Sequence, residues 1–222
     1  NPYDEHAVTE AGRLQKTFPE SEIIVVCFSK PEAEGTLRSA LAMGADRGIL
    51  VTSGHRHDPI MTARVLKKAI SQDGRPDLIL TGKESIDSEG MQTMFRLAHL
   101  FNIPAATNVV QIETGGNDVL VSCEKEAGSR EMLKLGLPCV LAVGKGLNNP
   151  KYPTFPDIVK ARKKEIKIID FEKLDIPEPE SRVEMICLEP ALEKRTPKEI
   201  TGTTTSIAEQ IVAILKDEAR VI

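Results

Sequence analysis

The chain has 222 residues and a formal net charge of -4, with 28% charged and 41% hydrophobic residues, which is typical of an ordinary globular protein. Trp is absent and the pI is about 5.7, so no general basic surface is available and we expect no nucleic-acid partner. No apolar run approaches the roughly 20 residues that span a bilayer, so we expect no membrane insertion.

Helix-like and strand-like segments alternate through the first 102 residues. The opening residues combine a capping Asn1, a Pro in the first turn and acidic side chains, which predicts a helix start. The β-branched run at 22–28 predicts a strand that is buried on both faces. The other predicted elements of this half are a helix at 36–43 closed by Gly44, a strand at 48–52, a helix at 59–71, a strand at 77–81 and a helix from about 90 to 102.

The alternation predicts an α/β fold with a doubly wound, mostly parallel sheet. Because a helix opens the series with no strand before it, we expect a first strand upstream of Asn1.

The pattern changes after residue 104, where runs on either side of Thr-Gly-Gly-Asn predict an antiparallel hairpin. We expect the mixed sheet to end by residue 143. The predicted elements are hairpin strands at 105–113 and 118–124, strand-like runs at 132–135 and 139–143, a short basic helix at 158–164, a strand-like run at 165–171, a proline-rich extended stretch at 172–197 and a helix with an apolar stripe at Ile207, Ile211, Ile214 and Leu215. We therefore predict a nucleotide-binding α/β domain over 1–166 and a C-terminal arm with a helix over 167–222 that packs on a partner.

The loop at 82–93, Gly-Lys-Glu-Ser-Ile-Asp-Ser-Glu-Gly-Met-Gln-Thr, is the main candidate for a binding site. It follows a predicted parallel strand and leads into a helix, whose free N–H groups and positive dipole end favour an anion. Glycines and capping residues also occur at plain strand-to-helix turns, so from the residues alone both interpretations stay open. A Walker loop is excluded, because Asp77 stands where its first glycine belongs and Glu84 where its hydroxyl residue belongs.

No metal site and no catalytic set are predicted. His55, His57 and Asp58 lie close together without a further ligand group nearby, and we expect a solvated loop there. Asp87 and Glu89 lack a nucleophile, a second base or a metal, so the sequence favours binding over bond-breaking. Reduced, buried thiols are expected at the four separated cysteines Cys27, Cys123, Cys139 and Cys187.

A proline-stiffened loop at 147–158 displays Tyr152 and Phe155. It is either a structural loop or an exposed docking surface with aromatic anchors, and both alternatives stay open. The basic residues that follow, up to Lys164, are either an anion-binding patch or the exposed end of a helix.

Four motifs together resemble the beta subunit of electron transfer flavoprotein, in order along nearly the whole chain. They are Asn-Pro-Tyr-Asp-Glu at 1–5, Ala-Leu-Ala-Met-Gly-Ala-Asp-Arg at 40–47, the loop at 82–93, and Leu-Asn-Asn-Pro-Lys-Tyr-Pro-Thr-Phe-Pro-Asp-Ile at 147–158 with the basic segment after it. The resemblance implies an adenine nucleotide alpha hydrolase-like, Rossmann-like fold and a heterodimer with a larger alpha subunit. It also implies FAD held mostly by alpha, and AMP in the beta subunit.

The implied role is that of an electron carrier, not an enzyme. Electrons would pass from flavin dehydrogenases, often acyl-CoA dehydrogenases in this family, to a quinone oxidoreductase. The implied compartment is the cytoplasm, or the mitochondrial matrix in a eukaryote.

The resemblance implies two sets of functional residues. The set lining the nucleotide pocket would be Asn1, Pro2, Tyr3, Asp4, Phe28, Gly82, Lys83, Glu84, Ser85, Ile86, Asp87, Gly90, Met91, Gln92 and Thr93. The set docking a dehydrogenase would be Lys151, Tyr152, Thr154, Phe155, Pro156, Ile158 and Lys160. Phe155 would be the anchor, at a position where Leu is common.

Electron-bifurcating relatives hold a second FAD in place of AMP and use NADH. Their Asp-Thr-Ala-Gln-Val-Gly-Pro motif does not match residues 89–95, which favours AMP and simple electron transfer. A free-standing nucleotide-sensing module is an alternative of another class, but it leaves the loop at 147–158 and the C-terminal stretch unexplained. An adenylating enzyme of the ATP-pyrophosphatase type would need a Ser-Gly-Gly-x-Asp-Ser loop, which does not occur in this sequence.

Overall fold

The computed structural model describes residues 1–55, 57–177, 186–187, 189–190 and 197–221. The chain divides into two compact units, Asn1–Val183 and Glu184–Ile222. The helices of the first unit are α1 (Pro2–Thr17), α2 (Glu34–Met43), α3 (Pro59–Asp73), α4 (Thr93–Phe101) and α5 (Phe155–Ala161). Its strands are β1 (Ile24–Ser29), β2 (Arg47–Thr52), β3 (Leu78–Gly82), β4 (Ala105–Gly115), β5 (Asp118–Glu124), β6 (Arg130–Gly136), β7 (Cys139–Val143) and β8 (Ile166–Asp170).

These strands form two hydrogen-bonded sheets. One is parallel, in the order β1-β2-β8, and the other is mixed, in the order β3-β7-β4-β5-β6. In the mixed sheet β3, β7 and β4 run parallel, and the predicted hairpin β4-β5 and the pair β5-β6 are antiparallel. The predicted α/β class with a mostly parallel sheet is therefore confirmed, although the strands divide between two sheets.

Helices cover both faces and connect the two sheets. α1 packs on β3 and β7, α2 packs on β1 and β2, and these two helices contact each other. α3 packs on β1 and β2, α4 packs on β7 and β4, and they likewise contact each other. Both helix pairs thus hold the sheets side by side. β1 and β3 are edge strands of their sheets. The strand expected upstream of Asn1 stays a prediction.

β1 is less buried than its apolar sequence predicts. Its alternate side chains do pack on opposite faces, with Val26 in the cluster of α3 and Val25 in the cluster of α2. All of its residues up to Phe28 are nevertheless only partly buried. β2 is the more deeply buried strand, because it has a neighbouring strand on each side. Its residue Leu50 is 0% exposed. The expected packing on both faces of β1 is therefore confirmed, although the burial is incomplete because β1 is an outer strand of its sheet.

The mixed sheet ends along the chain with β7 at Val143, as expected, and the strand predicted near 165–171 joins the other sheet as β8. β8 pairs in parallel with β2, and Gly48 lies opposite Ile166. Ile166 packs in the cluster of α2 and Ile169 in the cluster of α3, so β8 contributes to the core on both faces. The first compact unit accordingly extends past residue 166, to Val183.

The second unit contains the predicted last helix, α6 (Thr204–Ala213), which continues into a π-helical turn at Ile214–Glu218. No residue of α6 is buried. Much of the predicted extended stretch at 172–197 lies outside the described residues, and the packing of the arm on a partner stays a prediction. Nowhere in the described ranges is a helix both long and apolar enough to cross a membrane.

The four cysteines are free thiols in different surroundings. Cys123 and Cys139 are buried, and burial raises the pKa of Cys139 to about 11. Cys27 is half-buried and Cys187 is exposed, so the expectation that all four are buried is wrong for these two.

Candidate functional site

The first turn of α1 lies against the end of β3. Asp4 Oδ1 accepts a hydrogen bond of 2.8 Å from the backbone N–H of Gly82. Asn1 Nδ2 donates to the carbonyl of Glu84 at 2.9 Å and to Asp4 Oδ2 at 3.0 Å. Asn1 is the N-cap residue, as predicted, but its side chain makes no capping bond to α1 and instead holds the loop after β3. The structure thus brings together two groups of predicted site residues that are far apart in the sequence.

The close approach of α1 requires glycine at position 82. A Cβ added to Gly82 would lie 2.7 Å from Cβ of Tyr3, 2.8 Å from Asp4 Oδ1 and 3.0 Å from Asp4 N. These distances are shorter than non-bonded contacts allow, and one of the atoms belongs to the backbone. A side chain here would therefore push the start of α1 away from the loop.

A positive charge is fixed beside this contact. Lys83 Nζ lies 2.9 Å from Glu84 Oε1 and 5.1 Å from the ring centroid of Tyr3. The hydrogen bond to Glu84 is the main cause of a raised pKa at Lys83. Lys83 is consequently held as an ammonium group at the start of the loop.

The middle of the loop folds back on itself. The hydroxyls of Ser85 and Ser88 are 2.6 Å apart, and the N–H of Glu89 donates to the carbonyl of Ser85 at 2.9 Å. Glu89 and Met91 have φ values of 46° and 45°, in a region that side chains other than glycine rarely adopt. Unfavourable backbone conformations of this kind cluster at ligand-binding loops.

The start of α4 is not capped by a side chain. α4 begins at Thr93, later than predicted, and its N-cap residue is Gln92. The amide oxygen of Gln92 instead accepts two hydrogen bonds from the guanidinium of Arg96, at 3.2 and 2.7 Å. The N–H groups of the first turn and the positive end of the helix dipole are thus available to an anion.

A buried hydroxyl lies next to this helix start. Thr81 Oγ1 is inaccessible to solvent and has no hydrogen-bond partner in the described part of the chain. Strand alternation puts Thr81 on the same face of β3 as Ile79, which packs with Met94 of α4. An unpaired buried hydroxyl costs about 1–3 kcal/mol, so a polar ligand that reaches it would be favoured. The hydroxyl, the uncapped helix and the glycine contact fit a nucleotide.

Phe28 lies in an aromatic cluster at the end of β1. Its ring centroid is 4.9 Å from that of His57 and 5.6 Å from that of Phe171, and His57 Nε2 is 2.8 Å from Ser53 Oγ. Phe28 belongs to the cluster of α3, so it points to the face that α3 and α4 cover.

This cluster corrects the expectation of a solvated loop for His57 and Asp58, whereas His55 is exposed as expected. His57 packs between rings, and Asp58 caps α3 by accepting from the N–H of Met61 at 2.7 Å. The sequence analysis missed the roles of His57 and Phe171. Phe28 and Phe171 each stand at the carboxyl end of a predicted strand, and this shared position is the signal that could have found the cluster.

The second predicted site is exposed. Tyr152 is 85% and Phe155 78% exposed, and Ile158 on the same segment is 40% exposed. Thr154 precedes α5, and its backbone N–H and hydroxyl both donate to Asp157 Oδ2, at 3.0 and 2.9 Å. Of the two alternatives that the sequence left open, the structure supports an exposed surface with aromatic anchors.

The loop between the carboxyl end of the parallel strand β3 and the start of α4 places the chain among α/β proteins, in which ligands bind at such strand ends. The family model of the electron transfer flavoprotein domain matches residues 1–174. Three similar proteins, each named electron transfer flavoprotein subunit beta, come from Bradyrhizobium diazoefficiens, Bacillus subtilis and Sus scrofa. They are 36%, 34% and 36% identical to the chain, over 100% of its length and 86%, 87% and 85% of theirs.

The chain therefore belongs to the family of electron transfer flavoprotein beta subunits. Its general role is electron transport within a flavoprotein, as an electron carrier and not as an enzyme in the ordinary sense.

Proposed function

We propose that this chain is the smaller subunit of a heterodimer with an electron transfer flavoprotein alpha subunit. The heterodimer takes electrons from a flavin dehydrogenase of the acyl-CoA dehydrogenase class and delivers them to a quinone oxidoreductase. It works in the cytoplasm, or in the mitochondrial matrix of a eukaryote. The observation that carries the proposal is that one chain of this family combines a nucleotide-type pocket with a separate, exposed aromatic segment, Tyr152 and Phe155.

In this proposal AMP binds at the carboxyl end of β3, beside the loop at 82–93 and the start of α4. The uncapped N–H groups from Thr93 onward bind its phosphate, and Lys83 adds a positive charge at the start of the loop. The Thr81 hydroxyl supplies a buried polar partner, and Phe28 lies on the side toward which Thr81 points. Asn1, Tyr3 and Asp4 keep the loop in place from the other side.

FAD, held mostly by the alpha subunit, supplies the redox chemistry. The residues of this chain therefore need only bind, orient and shield cofactors, and this explains why a pocket without a nucleophile and base pair suffices. Phe155 and its neighbours bring the dehydrogenase within range of the flavin by docking it.

The test is a cofactor count. The chain is produced together with its alpha subunit, the complex is denatured, and the released FAD and AMP are quantified per heterodimer. We expect one FAD and one AMP. Two FAD and no AMP would replace the simple carrier by a bifurcating member that uses NADH. A chain that forms a homodimer and binds a nucleotide without alpha would favour a nucleotide-sensing module.

A further inference from the structure

The exposed aromatic side chains belong to a segment that is fixed at its beginning by one half-buried amide. Asn148 Nδ2 donates to the carbonyl of His6 at 3.0 Å and to Glu10 Oε2 at 3.1 Å. Asn148 Oδ1 lies 3.1 Å from His6 Nδ1. Both ends of the Asn148 amide are thus bound to α1, although the two parts of the chain are 138 to 142 positions apart.

The group that receives Asn148 is a buried carboxylate. Glu10 is 1% exposed, and its other oxygen accepts two hydrogen bonds from Arg13, at 2.8 and 2.5 Å. Arg13 also donates to the carbonyl of Ile112 at 3.1 Å. A buried carboxylate is costly unless its oxygens are paired, so Asn148 and Arg13 both stabilise Glu10 in place.

A second bond follows three residues later. The backbone N–H of Lys151 donates to Thr9 Oγ1 at 3.0 Å. Thr9 precedes Glu10 on α1, so the helix holds the loop at Asn148 and again at Lys151. The next residue along the chain is the exposed Tyr152.

The far end of the segment is fixed to α2 by reciprocal capping. Lys164 Nζ donates to the carbonyls of Leu41 and Ala45, at 3.1 and 2.6 Å, at the C-terminal end of α2. Arg38 of α2 donates in return to the carbonyls of Ala161 and Lys164, at 3.0 and 2.5 Å. Lys164 is therefore engaged inside the molecule and is not a free charge for a partner.

We propose that Asn148 is a positioning residue for partner docking, because its bonds to α1 hold the segment that presents Tyr152 and Phe155. This inference rests on the proposed function. A segment that is ordered before binding loses less conformational entropy when the partner arrives, so docking is tighter. Asn148 itself does not touch the partner in this scheme, and it acts through the order of the loop.

Neighbouring asparagines provide a matched pair of variants. Asn148→Ala removes the bonds to α1, whereas Asn149→Ala removes an exposed side chain with no hydrogen bond recorded in the described part of the chain. Both variants are prepared as heterodimers with the alpha subunit. Hydrogen exchange of the Lys151 amide is measured in short peptic peptides, where Pro150 contributes no amide. The KM and kcat of each heterodimer are measured with a substrate-reduced acyl-CoA dehydrogenase.

For Asn148→Ala we expect exchange at Lys151 to be faster by about fivefold or more, as for the loss of an ordinary hydrogen bond. We expect KM for the heterodimer to rise by a similar factor, while kcat and the FAD content stay the same. Asn149→Ala should match the unchanged protein in all four quantities. If Asn148→Ala does not yield a folded heterodimer, Thr9→Val removes the acceptor for Lys151 N–H alone and should give the same pattern.

Phe155→Ala separates a failure of this inference from a failure of the proposed function. If Phe155→Ala raises KM and Asn148→Ala changes neither exchange nor KM, the positioning role is overturned and docking stands. If neither variant changes KM, docking through this segment is overturned, and the positioning role with it.

Discussion

The loop at 82–93, which we propose binds AMP, and the docking segment at 147–158, which we propose docks a dehydrogenase, are both irregular stretches beside a short helix, but they are held in different ways. The loop at 82–93 is held by two exposed hydrogen bonds, one that Asn1 donates to Glu84 and one that Asp4 accepts from Gly82, and the helix that follows it is uncapped. The docking segment is bound to α1 through the buried Glu10, and α5 is capped by Asp157.

This difference separates two kinds of functional surface. An uncapped helix start still has N–H groups to offer, so a ligand can supply the missing acceptors. A capped helix start has satisfied its own groups, and Asp157 adds a negative charge there, so α5 offers no anion site. The region around Thr93 therefore fits a small anionic ligand, whereas the region around Phe155 fits a protein that buries its exposed ring.

The largest effect is expected from Gly82→Ala. The added Cβ would lie 2.7 Å from Tyr3 Cβ and 3.0 Å from the backbone N of Asp4, so the first turn of α1 must move. We expect the free energy of unfolding to fall by about 2 kcal/mol and AMP to be lost from the purified heterodimer. Urea unfolding and a nucleotide count measure the two effects.

Gly90→Ala is the steric control for Gly82→Ala. A Cβ at Gly90 would meet no atom within 4 Å, and we expect a change in unfolding free energy within about 0.5 kcal/mol. A Gly82→Ala heterodimer with full AMP and unchanged stability would show that α1 does not need to approach the loop.

Phe155→Ala should weaken partner docking without changing the stability of the fold. Because the ring is 78% exposed, the unfolding free energy should stay within about 0.5 kcal/mol of its original value. A central aromatic anchor is worth about 2 kcal/mol or more, so KM for the heterodimer with the acyl-CoA dehydrogenase should rise at least about tenfold. The control is Ile168→Ala, which removes another exposed apolar side chain, 59% accessible, on β8. An equal rise in KM for both variants would contradict a specific docking role.

Local sequence predicts the parts of this structure whose conformation depends on residues that are close together in the chain. Gly44 ends α2 with φ of 141°, and Thr-Gly-Gly-Asn forms the β4-β5 turn with Gly116 at φ of 66°. In both cases the special backbone conformation is one that glycine adopts without steric cost. The loop before α4 was also predictable as a candidate site, because it ends a parallel strand.

The features that the sequence did not predict depend on distant residues. β8 pairs with β2, which lies more than 110 positions earlier in the chain. The residue pattern of β8 does not indicate which strand it pairs with. Glutamate on a helix is usually exposed, yet Glu10 is buried because Asn148 and Arg13 bind its carboxylate oxygens. The late start of α4 follows from positive φ values at Glu89 and Met91, residues that carry no signal for that conformation.

Asp4→Ala is a smaller change than Gly82→Ala to the contact between α1 and the loop at 82–93. It removes the acceptor of the Gly82 N–H, and the loss of one such hydrogen bond should lower the unfolding free energy by about 1 kcal/mol. Asp4→Asn keeps a side-chain oxygen in the same place and should cost less than half as much. Urea unfolding of both variants measures the difference, and equal costs would mean that the charge of Asp4, not its geometry, holds the loop.

The smallest effect is a pH dependence confined to the docking segment. Hydrogen bonds from the backbone N–H and the hydroxyl of Thr154 lower the pKa of Asp157. A carboxyl with a lowered pKa stabilises the folded state above its unfolded value, about 3.9, and this stabilisation is lost as the pH falls through the folded value. The amide proton resonance of Thr154 should therefore titrate with a midpoint below about 3.9, and Asp157→Asn should abolish that titration. A midpoint at or above that value would mean that the cap does not favour the charged carboxylate, and the start of α5 would then be no better held than the start of α4.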